Sequence, residues 1–66
     1  MLYEVAIIQK PTHKQREEGS PEVLLVSPYC FIATDDRAAA MKATLDNKDK
    51  LPTDLALVDV LVRPFV

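Results

Sequence analysis

Few side chains in this chain are placed to do chemistry. There is one histidine, His13, one cysteine, Cys30, and two aspartate groups, Asp35-Asp36 and Asp46 with Asp49. A catalytic or metal-binding histidine needs a second ligand or an orienting partner. His13 instead sits in a charged stretch with Lys14, Arg16, Glu17 and Glu18, which reads as a solvated loop. A nucleophilic cysteine needs a neighbouring histidine or a helix N-terminus to lower its pKa. Cys30 lies between Tyr29 and Phe31 in an apolar run, which predicts a buried, inert thiol. Asp35 and Asp36 stand where a helix would be capped, and Asp46 and Asp49 at its solvated end. Their spacing matches no calcium loop. The basic residues Lys10, Lys14, Arg16, Lys48 and Lys50 are interleaved with Glu17, Glu18 and Asp49, the pattern of ordinary solvation. The residues thus predict no enzyme, no cofactor, no metal and no small-molecule substrate.

The more informative pattern lies in the apolar segments. From Leu2 to Ile8, Tyr3, Val5 and Ile7 point one way while Leu2, Ala6 and Ile8 point the other. From Leu55 to Val66, Val58, Val60 and Val62 oppose Leu57 and Leu61. A sheet with one solvated face alternates apolar with polar, whereas these strands are apolar on both faces. The chain offers one amphipathic helix to cover them.

That helix follows Thr34 or Asp35, either of which can cap it, and runs through the strong helix formers Ala38 to Leu45. Ala38, Met41 and Leu45 share one face and are the expected inward stripe, with Arg37, Lys42 and Asp46 outward. Asn47 suits a left-handed C′ position, and Leu51-Pro52 closes the exit. Before it, Glu22 to Ala33 reads as a strand in which Pro28 demands an edge position or a bulge. Residues 11–21 form a polar loop between the first two strands. Within it, Thr12 and Gln15 fit a capping box and Gly19 a C′ position, for a single helical turn or an extended hairpin loop. The reading is one α+β domain over residues 1–66, a small β-β-α-β unit with a three-stranded sheet and one helix on one face. The first two strands should be antiparallel. A right-handed crossover sets the second and third parallel, with the first between them.

A chain of 66 residues buries roughly 60% of its unfolded surface, and its core supplies roughly 3–5 kcal/mol at most. One cysteine excludes an internal disulfide, so oligomerisation or docking is the remaining source of stability. A net charge of −2 weighs against nucleic acid as a partner. No apolar run reaches the roughly 20 residues of a membrane span, and the start Met-Leu-Tyr-Glu does not read as a signal peptide, which with the free cysteine suggests a cytoplasmic setting.

The expected interaction surface comprises Leu2, Ala6, Ile8, Leu57 and Leu61, joined by Phe65. Pro64 should end the last strand and leave Phe65-Val66 as an apolar tip, folded back on its own sheet or anchored in a neighbour. The expected partner is a second copy, another protein, or both. The alternatives are an inhibitor or adaptor that caps an enzyme through its acidic surface and the 11–21 loop, and a strand platform for nucleic acid bearing Tyr3, Tyr29 and Phe31.

The strings LYEVAIIQKPT, EEG and VLVRPF resemble a group of short uncharacterised proteins found among tailed-bacteriophage and environmental bacterial sequences. The resemblance spans nearly the whole chain. It implies a virion accessory protein, or a phage-encoded binder of a host protein in the host cytoplasm, and carries no functional residue with it.

Overall fold

The computed structural model describes residues 1–65. The order of elements is β1 (Leu2–Gln9), α1 (His13–Glu17), β2 (Val23–Ile32), α2 (Asp36–Asp46), 3-10 turns at Lys48–Lys50 and Leu55–Leu57, and β3 (Val58–Pro64). This is an α+β domain whose sheet order is β2-β1-β3, with β1 antiparallel to both neighbours. The hairpin, the central place of β1 and the parallel outer strands all follow the sequence reading.

The core lies between the sheet and α2. Tyr3, Val5 and Ile7 of β1 are buried there with Val26, and Val58, Val60 and Val62 of β3 pack against them. The inward residues of α2 are Ala39 and Ala43, both fully buried. This corrects the expected stripe, because Met41 is 59% and Leu45 63% exposed. The reason is distance: an i, i+4 ridge of methyl groups lets the helix settle onto the valine-rich sheet, whereas Met41 and Leu45 would hold it away. Asp35 caps α2 by accepting from the Ala38 N–H at 2.8 Å. Asn47 is not left-handed (φ −120°). Its side chain ends the helix instead, Nδ2 donating to the Ala43 carbonyl at 2.8 Å and to the Tyr29 hydroxyl at 3.2 Å.

Residues 11–21 contain the single helical turn. Thr12 and Gln15 close a capping box, and Gly19 takes the positive φ of +79° that favours glycine after a helix end. The last apolar segment also begins differently from the expectation. Leu55–Leu57 forms a 3-10 turn because Asp54 accepts from the Ala56 N–H, so β3 starts at Val58 and Leu57 precedes it, tied to β1 by its carbonyl alone. Val66, the end of the expected strand and tip, lies outside the described residues.

Both prolines of the sheet sit where a missing donor does no harm. Lys10 donates to the Leu57 carbonyl and Phe65 to the Leu2 carbonyl. With the register Tyr3↔Pro64, Val5↔Val62 and Ile7↔Val60, these bonds make Leu2/Phe65, Glu4/Arg63, Ala6/Leu61 and Ile8/Asp59 the hydrogen-bonded pairs. The backbone groups of Val58, Val60, Val62 and Pro64 therefore face off the free edge, and Pro64 is the last residue of β3, as expected. On the other side, Met1 and Ala33 exchange bonds, so Tyr3/Phe31 and Val5/Tyr29 are bonded pairs while Cys30 and Ile32 face outward. Pro28 lies between Tyr29 and Val26, where the register with β1 shifts, and a second shift follows beside Leu25. The expected edge position and the expected bulge are both present.

Candidate interaction surface

Alternation along the three strands assigns every sheet residue to the α2 side or to the opposite face. On the opposite face the register lines up rows across the sheet. The first is Ile32, Leu2 and Phe65; the second Cys30, Glu4 and Arg63. The third is Ala6 and Leu61, with Pro28 beside them, and the fourth Leu24, Ile8 and Asp59. No described element covers these rows. Ile32 is 75%, Leu24 55%, Phe65 52%, Leu61 47% and Leu2 37% exposed. Ala6 and Ile8 are half-buried by their taller neighbours.

Two features give this surface shape. Ala6 floors a hollow of about 260 Å³ walled by Glu4, Pro28, Leu61 and Arg63, because a methyl group stands among longer side chains. Across that row, the Arg63 Nε donates to the Glu4 Oε1 at 2.6 Å. The pair is exposed and contributes little stability alone. Its effect is to neutralise the charge within an apolar face while leaving the terminal guanidinium nitrogens of Arg63 available.

Of the six residues expected at the interaction surface, Leu2, Ala6, Ile8, Leu61 and Phe65 share this face, while Leu57 belongs to the 3-10 turn that leads into β3. Cys30, expected to be buried, is exposed on it, because β2 is an edge strand and the face beyond it is bare. Sequence reasoning missed Leu24, Ile32 and Pro28. Their signal is alternation along β2, which the two register shifts scramble until the partner residues on β1 are known.

The other chemically capable groups are dispersed. His13 stands on α1 with its Nε2 3.0 Å from Glu17, both in solvent. Asp36 accepts from the Arg37 N–H, and Asp46 binds Lys42 at 2.9 Å. That bond and the Asp46 charge raise the Lys42 pKa above its ordinary value. Lys42 also stands 5.7 Å from the ring centre of Phe31. Tyr3, Tyr29 and Phe31 all lie on the α2 side, and Tyr3 is only 6% exposed, so the three do not form an open stacking platform. Among the described residues no three His, Cys, Asp or Glu side chains are grouped to hold a metal ion, and no helix is long and apolar enough to cross a membrane. Comparison with protein-family models, curated proteins and solved structures finds no match to this chain.

Proposed function

We propose that this chain is a non-enzymatic assembly module that associates with further copies of itself through the uncovered face of its sheet. The observation that carries the reading is the bare face itself, with Ile32, Leu24, Phe65, Leu61 and Leu2 exposed on the side of the sheet away from α2. Large contiguous apolar patches on small chains mark association surfaces.

Size supports a second copy as the occupant. The accessible surface is 4782 Å², whereas a compact monomer of 7.4 kDa exposes about 4,200 Å². The radius of gyration is 12.8 Å against about 11 Å for a compact domain of this length. The excess surface, roughly 600 Å², is on the scale of one sheet face. Two such faces pressed together would bury roughly 1,200 Å², the lower bound of standard interfaces. Within the face Glu4 and Arg63 cancel, which leaves Asp59 as its one uncompensated charge, at the margin beside Ile8. The resemblance to short phage proteins suits a subunit of a repetitive assembly such as a virion. Sedimentation across a wide concentration range tests the reading. Mass should rise with concentration, and a strict monomer throughout would overturn it.

A further inference from the structure

The free edge of β3 carries a pattern that the apolar face does not explain. Val58, Val60, Val62 and Pro64 turn their backbone groups off this edge. The Val58 N–H is already engaged by the Leu55 carbonyl and Pro64 has none, so the available donors are those of Val60 and Val62. The side chains between them, Asp59, Leu61 and Arg63, lie on the open face. The run Asp59-Val60-Leu61-Val62-Arg63 reads the same in both directions except that its ends carry opposite charges.

We propose that a second copy pairs with this edge, β3 antiparallel to the partner's β3 and centred on Leu61, to form one continuous six-stranded sheet. In this register Val60 faces the partner's Val62 and Val62 the partner's Val60. Each free donor then meets an outward carbonyl, giving four backbone hydrogen bonds. The two donor-deficient positions fall opposite each other, Val58 against the partner's Pro64. On the open face Leu61 stacks on the partner's Leu61, and Asp59 stands directly opposite the partner's Arg63. Opposite charges at directly opposed positions stabilise a sheet pair, and like charges there oppose it. The Arg63 Nε is held by Glu4, which leaves its terminal nitrogens for the partner's Asp59. Sliding the register by two residues in either direction puts Leu61 against a charge and loses both ion pairs.

The surroundings permit the approach. The side chains of the partner's Val60 and Val62 enter the hollow between α2 and β3, about 510 Å³ lined by Asp36, Arg37, Ala40, Val60 and Val62. Ala40 keeps that hollow wide. The β2 edge lacks this design, being broken by Pro28 and two register shifts. Edge pairing doubles the open apolar face. The inference deepens the self-assembly reading but uses a different surface, so the two fail separately.

A charge exchange tests the register. D59R places arginine opposite the partner's Arg63. The double variant E4R/R63E keeps the ion pair within the chain and places glutamate opposite the partner's Asp59. Each alone should weaken edge association at least tenfold, and an equimolar mixture should restore it as a heterodimer. Unchanged association of D59R, or a mixture no better than its components, overturns the proposal. A second measurement does not depend on the folding of the double variant. C30S/L61C should close an intermolecular disulfide between the two opposed positions, about 4.5 Å apart at Cα, while C30S/D59C alone should not. Equal crosslinking of both overturns the register. L24K, on the far strand, disturbs the open face and leaves the β3 edge intact. Continued L61C crosslinking in that background, with face association lost, supports the edge, and loss of crosslinking there removes its independence.

Discussion

Leu24 gives the sharpest separation between folding and assembly. It lies on the open face, opposite Ile8, and is 55% exposed. Replacing it by lysine removes little from the monomer, since substitutions at such positions change stability by about 0.5 kcal/mol or less. Full burial of a leucine is worth about 1.5–3 kcal/mol, so covering the exposed half contributes about 1 kcal/mol per copy. A symmetric contact counts it twice, about 2 kcal/mol, which is roughly a thirtyfold change in the dissociation constant before any desolvation of the lysine charge. Sedimentation velocity of L24K and the parent over the same concentrations reads the association. Thermal unfolding at low concentration reads the fold, where a shift of only about 2–4 °C is expected. If L24K sediments as the parent does at every concentration, the open face is not the contact and the reasoning from exposed area fails.

Further outcomes follow from the same geometry. A43L should destabilise the domain by about 1–3 kcal/mol, a large share of its stability, because the helix must lift from the sheet. The double variant M41Q/L45Q should melt within a few degrees of the parent, and the reverse ranking in a thermal melt would restore the inward stripe expected from sequence. Alkylation of Cys30, exposed on the open face, should slow as protein concentration rises through the association range; a rate independent of concentration places the thiol outside the contact. F65A should leave unfolding nearly unchanged, since the ring is half exposed, yet weaken association about tenfold or more in sedimentation. An F65A protein that associates as the parent does would make Phe65 a solvated end.

The architecture was legible because its signals are local. Two-sided apolar strands, the Thr12/Gln15 capping box, Gly19 and the Asp35 cap each act within a few residues, and each stands where the pattern placed it. What escaped depends on distance in the fold. The run Ala38-Ala39-Ala40 offers small residues on several helix faces, and only packing against β1 and β3 selects Ala39 and Ala43. Pro64 does end β3, but only the register shows that its absent N–H points off an edge. Cys30 reads as core because its neighbours are aromatic, yet those aromatics lie on the opposite side of β2. The surface residues of β1 and β3 were readable from simple alternation, while those of β2 were hidden by the shifts at Pro28 and Leu25.

Self-association is the central claim, and the solution mass of the unmodified protein addresses it most directly. Sedimentation equilibrium from dilute to concentrated protein should show a weight-average mass that climbs from the 7.4 kDa of one chain toward a multiple of it. A mass fixed at one chain across the whole range would contradict the account.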